Sequence, residues 1–278
     1  KSNAYGHGLL EVVKLLTTYN LQLTTEIWLG VDNIDEALAL KKARIKNPIL
    51  ILGYIPKPRL VEAIKHGFRF ALYDADVLKE CVRLAKKLKK KALVHIKIET
   101  GTYRQGLMDA DISKFAALLQ KAAGTVVPEG MYTHFADTED ASSSYYKEQL
   151  HVFEKTVALF EELGVTAKYH HAASSAATLM YANTHFNMVR WGIGLYGLYP
   201  SEDVQSSALH KMKLQPALTW KTRVAQVKVV PVDGTIGYNR TFSAFQAMKI
   251  AVLPVGYWDG YDRGLSNKGS VLICGKKC

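Results

Sequence analysis

The stretch FALYDADVLKECVRLAKKLKKKALVHIKI, residues 70–98, carries the pattern that decides the fold. Two short apolar runs, residues 70–73 and 93–98, flank a segment over 76–90 in which apolar residues recur at helical spacing. Strands that alternate with helices indicate parallel βαβ units, because a parallel connection needs a crossover. This stretch therefore predicts a strand, a helix and a second strand parallel to the first.

The same alternation extends in both directions along the chain. Further strands are predicted over 26–31, 49–53, 130–135, 167–173 and 189–195, and helices over 33–42, 58–66, 111–122, 146–163 and 174–183. These make seven strands, and an eighth strand that ends at Lys1 would complete eight βα units. The predicted fold class is α/β, a (β/α)8 TIM barrel.

The pattern changes near residue 205. Residues 214–231 are rich in β-branched side chains, with Ala225, Val227 and Val229 at the period of two that a half-buried strand shows. Two more strands are predicted over 249–254 and 270–274, with no helical segment between them. We expect a barrel domain over 1–206, lacking its first strand, and a truncated all-β domain over 207–278.

Composition narrows the classes of partner. The 278 residues carry a net charge of +11 and three cysteines, whose spacing is not that of metal ligands. Few cysteines are typical of a reducing, cytoplasmic compartment, and no apolar run is long enough to span a membrane. The lysine run at 86–91 closes a predicted helix, where cations favour the helix dipole. We expect no metal, nucleic-acid or membrane partner.

Reactive side chains collect at the predicted carboxyl ends of the strands. They include Lys1, Lys97, His134, His171 and Arg190. In a barrel these ends meet on one face, which is where barrel enzymes hold their active sites. A desolvated lysine there can form a Schiff base with an aldehyde cofactor.

Seven motifs identify a family when they are taken in order. They are KSNAYGHG (1–8), TGTYRQG (100–106), HFA (134–136), HAASS (171–175), RWGIGLYG (190–197), IGYNRTF (236–242) and PVGYWDGY (254–261). The set resembles the alanine racemases, isomerases with an N-terminal barrel that binds pyridoxal 5'-phosphate (PLP) and a C-terminal β domain. The resemblance implies interconversion of L- and D-alanine, D-alanine supply for peptidoglycan, and a cytoplasmic homodimer whose active site is shared between subunits.

The resemblance also implies two catalytic bases. Lys1 matches the lysine that binds PLP covalently and acts as a base on one face of it. Tyr238 matches the base on the opposite face, which reaches in from the other subunit and also contacts the substrate. Racemisation needs both, because one group removes the α-proton and the other returns a proton to the second face.

The cofactor site follows from the same resemblance. Arg190 matches the arginine that faces the pyridine nitrogen, and His171 matches its hydrogen-bond partner. The implied phosphate site consists of Tyr5, Ser175 and the N–H groups of Gly192 and Ile193.

The resemblance also implies a substrate side of the site. Arg104 matches an arginine that contacts the phenolic oxygen of PLP and the substrate carboxylate. Lys97 matches a lysine that is carbamylated in many members and would position Arg104. Glu99 could serve Arg104 instead, since period two places it on the same strand face as Lys97. His134 and Tyr257 match the surroundings of the site.

Two departures from the family pattern concern the choice of amino acid. The usual Asp-Thr-Gly-Met of strand five is here Glu99-Thr100-Gly101-Thr102, and Ser174 stands where Asn is common. A serine or broad-specificity racemase of the same fold is therefore one alternative. A PLP-holding barrel without racemase activity is another, although relatives of that type have one domain and would lack Tyr238.

Overall fold

The structure is a computed structural model that describes residues 1–19, 26–208 and 212–278. Two compact units divide these residues. The first unit is Lys1–Ala217 and the second is Leu218–Cys278.

The first unit is built on a parallel sheet of six strands. In chain order they are β1 (Leu29–Val31), β2 (Ile49–Ile51), β3 (Arg69–Leu72), β4 (Ala92–Lys97), β5 (Val126–Tyr132) and β6 (Tyr169–His171). The order across the sheet is the order in the sequence, and each neighbouring pair is parallel. This half-barrel, with helices between its strands, confirms the α/β class that the sequence predicts.

Helices follow the strands as the apolar periodicity predicts. A single left-handed turn, α1 (Ser2–Tyr5), precedes α2 (Leu9–Tyr19), α3 (Ile34–Lys42), α4 (Leu60–His66), α5 (Ala75–Leu88), α6 (Ile112–Lys121), α7 (Tyr145–Glu162), α8 (Ser175–Met180) and α9 (Glu202–Ala208). Helix α9 was not predicted. Within the described ranges, no helix is both long enough and apolar enough to cross a membrane.

The core lies between the sheet and these helices. Side chains from neighbouring strands, such as Ile51, Phe70 and Ile96, are fully buried, as are Leu40 of α3 and Leu78 of α5. Strands covered on both faces read as continuous apolar runs, which is why the strands were visible in the sequence. The core therefore fixes the sheet whose carboxyl edge carries the site.

One predicted strand of the barrel is wrong. Residues 189–195 form no strand, and Ile193–Tyr196 is a 3-10 helix. A trace of a ladder remains in the Arg190 N–H, which donates to the Ala173 carbonyl at 3.0 Å. Gly192 adopts φ −105° and ψ −106°, a conformation that no regular strand uses, and it turns the chain away from β6.

The second unit is all-β, as the sequence predicts. Its antiparallel pairs are β7 (Gln226–Val230) with β10 (Met248–Val252), β8 (Thr235–Ile236) with β9 (Phe242–Ser243), and β11 (Leu272–Ile273) with β12 (Lys276–Lys277). The predicted strand over 270–274 is reduced to the two residues of β11. The turn at Asp233 and Gly234 follows β7, and Asp233 has φ 62°, a left-handed conformation that Asp tolerates.

Candidate active site

Lys1 lies beside the first strand of the sheet. Its backbone nitrogen is 3.0 Å from the Gly30 carbonyl oxygen of β1. The next four residues, Ser2 to Tyr5, have φ values of 53°, 50°, 56° and 55°, a left-handed conformation that side-chain-bearing residues seldom adopt. This corner brings the Tyr5 ring to 5.9 Å from Lys1 Nζ, measured to the ring centroid.

Two polar side chains hold the corner. Glu36, in the first turn of α3, accepts from the Asn3 N–H at 2.7 Å and from the Asp32 N–H at 2.8 Å. Asn3 in turn accepts through Oδ1 from the Leu9 N–H at 2.9 Å, at the start of α2. The position of Lys1 is therefore set by β1, α2 and α3 together.

Arg190 is the centre of the polar network. Nη1 donates to the His171 carbonyl at 2.9 Å, and Nη2 donates to the Thr133 and Ala172 carbonyls at 2.7 and 2.8 Å. Two ring nitrogens also face the guanidinium, His171 Nδ1 at 2.9 Å and His134 Nδ1 at 3.2 Å. Burial, followed by repulsion from Arg104, lowers the pKa of Arg190 to about 10, so it stays charged at neutral pH.

Both histidines are neutral. Burial, and then the charges of Arg190 and Arg104, lower the pKa of His134 to about 3. Burial and Arg190 likewise hold the pKa of His171 well below its usual range. Each ring can therefore face Arg190 with an unprotonated Nδ1, as a protonated ring could not. The His134 contact is a shared one, because the two N–H groups of Nη2 also donate to carbonyls.

Tyr132 belongs to the same network, although the sequence analysis missed it. Its buried ring stacks on His171 with the centroids 4.7 Å apart and an interplanar angle of 6°. Lys97 Nζ and Arg190 Cζ lie 5.8 and 5.4 Å from its centroid, distances at which a cation interacts with a ring face. The signal was its place inside a predicted strand, directly before the Thr133-His134 pair.

A small polar cradle lies between α8 and the turn after Arg190. The buried Ser175 hydroxyl accepts from the Gly192 N–H at 2.9 Å and the Gly194 N–H at 3.2 Å. A Cβ added at Gly192 would lie 3.0 Å from Tyr5 Oη, so the missing side chain allows the backbone to approach Tyr5. Ile193 begins the 3-10 helix, where an N–H has no partner inside the helix.

The conformation of the loop after β4 is held by hydrogen bonds to Glu99. Its carboxylate accepts from the Gly101 and Thr102 N–H groups, both at 2.7 Å. Burial alone would raise the pKa of Glu99, but the backbone N–H groups of residues 101–104 lower it. Glu99 forms no ion pair with Arg104 among the described residues, and its Oε1 instead accepts from the backbone of this loop.

Lys97 and Arg104 form a second cationic region. Lys97 is 5% exposed, and its Nζ lies 3.4 Å from Gln105 Oε1. Burial, and then Arg104 and Arg190, lower the pKa of Lys97 to about 8. Arg104 is exposed, and no ion pair with a carboxylate forms for either side chain among the residues that the structure describes.

The predicted residues fall into two groups. The first unit brings ten of them to its site, namely Lys1, Tyr5, Lys97, Arg104, His134, His171, Ser175, Arg190, Gly192 and Ile193. Tyr238 and Tyr257 belong to the second unit, each at the start of a short 3-10 turn, and they are 81% and 54% exposed.

Sequence comparison matches the whole of this arrangement to one family. Residues 1–200 match the alanine racemase N-terminal domain, and residues 217–278 match the alanine racemase C-terminal domain. The alanine racemase of Symbiobacterium thermophilum is 37% identical over 278 residues, covering 100% of this chain and 71% of the relative. That of Carboxydothermus hydrogenoformans is 38% identical over 277 residues, covering 100% and 73%.

Solved structures agree with the sequence match. Alanine racemase from the D-cycloserine producer Streptomyces lavendulae has a TM-score of 0.90 at 31% identity, covering 99% of this chain and 71% of its own. The Bacillus anthracis enzyme with bound L-Ala-P has a TM-score of 0.83 at 32% identity, covering 99% and 69%. The Bartonella henselae enzyme with covalently bound pyridoxal phosphate has a TM-score of 0.83 at 26% identity, covering 99% and 72%. On these matches the chain belongs to the alanine racemase family, whose members are isomerases.

Proposed function

We propose that this chain interconverts L- and D-alanine with PLP as cofactor, and that Lys1 and Tyr238 are its two bases. The observation that carries the proposal is the Arg190 guanidinium, a half-buried cation whose terminal nitrogens are all held by protein acceptors. The relatives with covalently bound pyridoxal phosphate and with bound L-Ala-P support the cofactor and the substrate.

The hydrogen-bond count at Arg190 fits a pyridine ring. An arginine has five N–H donors, two on each terminal nitrogen and one on Nε. The carbonyls of Thr133, His171 and Ala172 and the His171 ring occupy the terminal donors. In the described part of the chain, no acceptor binds the Nε–H, which leaves it for a ring nitrogen. A fixed cation there disfavours protonation of that nitrogen.

The cradle at Ser175 fits a phosphate. The hydroxyls of Tyr5 and Ser175 lie there beside Gly192. The Gly192 and Gly194 N–H groups donate to Ser175 Oγ, which leaves the proton of that hydroxyl to donate to an anion. The Ile193 N–H, at the start of the 3-10 helix, is proposed as a further donor. Burial raises the pKa of Tyr5, so its phenol stays protonated and can donate to an anion. Barrels often bind phosphate near their last strands.

PLP, when bound, supplies the electron sink that makes the α-proton of an amino acid acidic. The residues of the chain then decide where that proton goes. Lys1 Nζ accepts it on one face, and Tyr238 Oη exchanges a proton on the other. The corner at residues 2–5 orients Lys1, while the exposure of Tyr238 suits a side chain that enters the site of another subunit. We therefore propose a homodimer with a shared active site.

Arg104 is proposed to bind the substrate carboxylate. It is exposed, and its guanidinium can fork to two oxygens at once. Lys97 is proposed to carry a carbamate, because a pKa of about 8 leaves a fraction of its amine neutral and able to combine with CO2. The resulting anion would replace the repulsion between Lys97 and Arg104 with attraction.

Alanine is favoured over serine by the loop after β4. The Glu99 carboxylate and the Thr102 hydroxyl are the two departures from the family pattern in this loop. Glu99 accepts from backbone N–H groups, and the Thr102 hydroxyl donates to the His134 carbonyl. Both groups are thus engaged within the protein rather than left to bind a substrate hydroxyl. Cytoplasmic location and supply of D-alanine to peptidoglycan are part of the same proposal.

The cofactor assignment is tested by absorbance. Protein loaded with PLP should absorb at about 420 nm, and Lys1→Ala should abolish that band after dialysis. Lys14→Ala, a change in the exposed part of α2, is the control and should keep it. A dialysed Lys1→Ala protein with an undiminished band would refute the assignment of Lys1.

The two-base assignment is tested by proton exchange. Tyr238→Phe should slow exchange of the α-proton with deuterated water for one enantiomer of alanine far more than for the other. Tyr257→Phe is the matched control and should affect the two enantiomers alike. Equal slowing of both enantiomers by Tyr238→Phe would refute its role as one of two bases. Racemisation of serine at the rate of alanine would refute the substrate preference.

A further inference from the structure

His95 is a buried titratable residue that the proposed mechanism does not use. It lies in the middle of β4 and is fully buried. Its Nδ1 is 2.8 Å from His171 Nε2, which is hydrogen-bond distance. Through His171 it is therefore one step removed from Arg190.

The direction of each hydrogen bond in this chain follows from Arg190. A guanidinium can only donate, so His171 Nδ1 must accept from it and carries no proton. Since His171 is neutral, its proton lies on Nε2, which donates to His95 Nδ1. Burial, and then Arg69 and Arg190, lower the pKa of His95 to about 3, so His95 is neutral as well and holds its own proton on Nε2. That Nε2 is buried and has no hydrogen-bond partner among the described residues, a cost that the wild-type arrangement carries.

The sheet is shaped to hold the His95 ring. The β4–β5 ladder shifts register between Val94 and His95, so that Gly130 of β5 stands opposite His95. A Cβ added at Gly130 would lie 2.3 Å from His95 Nδ1, closer than any real contact. Gly130 is thus needed for the space it leaves. On the other side, the rings of Tyr169 and Trp28 pack at centroid distances of 6.3 and 5.5 Å.

We propose that His95 is a positioning residue, which fixes the tautomer and the ring orientation of His171 and through it orients the Arg190 guanidinium. The role of Arg190 toward a cofactor rests on the proposed function, whereas the order of the hydrogen bonds does not. Among the described residues, His95 Nδ1 is the only group at hydrogen-bond distance from His171 Nε2.

Removal of the His95 acceptor has a specific consequence. The His171 Nε2–H would be left buried without a partner, which is unfavourable for any donor. His171 can avoid this cost by carrying its proton on Nδ1 instead of Nε2. The Nδ1–H would then face an N–H of Arg190, so that two donors would meet. Arg190 would then lose one of its acceptors, and its orientation would no longer be fixed on that side.

The first test is made on the wild-type protein loaded with PLP. Two-bond 15N–1H correlation spectra of 15N-histidine-labelled protein distinguish the neutral tautomers from each other and from the protonated ring. We expect one neutral form for both rings, protonated at Nε2 in His171 and in His95. A protonated His171 ring, or a proton on its Nδ1, would overturn the proposal without any variant.

A matched pair of variants supplies the second test. His95→Asn keeps an oxygen near the place of Nδ1, whereas His95→Leu has a similar shape and no acceptor. We expect His95→Leu to broaden or split the His171 signals and to lower kcat about tenfold, as for other residues that orient a functional group, with KM little changed. His95→Asn should restore the single tautomer and most of kcat. Equal kcat values in the two variants, or an unchanged His171 tautomer in His95→Leu, would overturn the proposal.

A third variant approaches the contact from the opposite strand. Gly130→Ala should displace His95 and reproduce the His171 spectrum of His95→Leu, while wild-type spectra in Gly130→Ala would count against the proposal. These outcomes can be distinguished from a failure of the proposed function. Absence of racemisation in the wild type would remove that function, but the tautomer measurement would still decide the role of His95.

Discussion

Two arginines of the site are held in opposite ways. Arg190 is surrounded by carbonyl oxygens at the ends of β5 and β6 and by two neutral histidine rings. Arg104 lies on the loop after β4, is exposed, and shares its neighbourhood with the cationic Lys97. The protein orients the first guanidinium completely and leaves the second to be oriented by an anion.

This difference separates two tasks. A cation whose terminal N–H groups are all bonded to the protein does not move when a ligand arrives, so Arg190 can present its Nε–H in a fixed direction. A cation without a protein anion binds best when a carboxylate is delivered to it, which suits a substrate that comes and goes. We therefore expect substitution of Arg190 to lower kcat and substitution of Arg104 to weaken substrate binding.

The largest effect is expected from Arg190→Lys. A lysine keeps the charge, but its compact ammonium cannot reach three carbonyls and a ring nitrogen. Loss of one preorganised donor typically slows catalysis about 10²–10³-fold, and we expect kcat for alanine to fall within that range. The control is Arg69→Lys, which affects an arginine paired with Glu129 on the same sheet and should leave kcat close to wild type. A wild-type kcat in Arg190→Lys would contradict the proposed difference between the two arginines, in which Arg190 determines turnover and Arg104 substrate binding.

A smaller effect is expected from Arg104→Leu, and it should appear in KM. A hydrogen bond to a charged group contributes about 1.5–3 kcal/mol, so KM for alanine should rise roughly tenfold to a hundredfold. The absorbance of bound PLP should persist. Arg83→Leu, on the exposed face of α5, serves as the control and should leave KM unchanged. A fall in kcat with an unchanged KM would show that Arg104 belongs with Arg190 instead.

The charge state of Lys97 is expected to follow pH. Because the pKa of Lys97 is lowered to about 8, the neutral amine that combines with CO2 becomes more abundant as pH rises through that value. The reaction forms an N–C bond and releases one proton. A carbamate signal in 13C NMR after addition of labelled bicarbonate should grow with pH and be absent in Lys97→Arg. A carbamate signal that persists in Lys97→Arg would assign it elsewhere.

The smallest effect is expected from Glu99→Gln. The amide retains an oxygen for the Gly101 and Thr102 N–H groups, but the charge that strengthens those bonds is lost. We expect the free energy of unfolding to fall by about 1 kcal/mol, measured by urea denaturation, with a few-fold rise in KM as the Arg104 loop loosens. Glu148→Gln, in the first turn of α7, provides the comparison. A larger effect on kcat than on KM would place Glu99 in the chemistry.

The sequence predicted those strands of the sheet whose structure is determined by burial alone. Apolar runs such as Ile49–Ile51 are covered on both faces, and no other local pattern competes with them. It failed at 189–195 because the apolar content there is real but the glycines allow a turn. Whether such a segment joins a sheet depends on partners that are distant in sequence. The second unit was predicted as all-β, while the antiparallel pairing of its strands and their register were not.

At the site, sequence motifs found the residues that project from the ends of strands. His95 and Tyr132 were missed because a single polar residue inside an apolar strand is ordinary in a protein core. Only the distances to His171 distinguish them. Period two suggested that Glu99 could serve Arg104, but this period describes a strand and β4 ends at Lys97. The backbone turn beyond that point redirects its carboxylate.

The left-handed corner after Lys1 limits how far the thermal stability of the protein can be raised without a loss of catalytic rate. Each of its four residues adopts a conformation that costs roughly 1–2 kcal/mol for an L-amino acid. Selection for heat resistance would therefore favour glycine at Ser2 or Ala4, where the strain can be relieved. Glycine would also free the backbone that directs Lys1, so variants selected for a higher melting temperature at these positions should lose speed. Residues 2–5 are thus a place where laboratory evolution should encounter a trade-off between durability and rate.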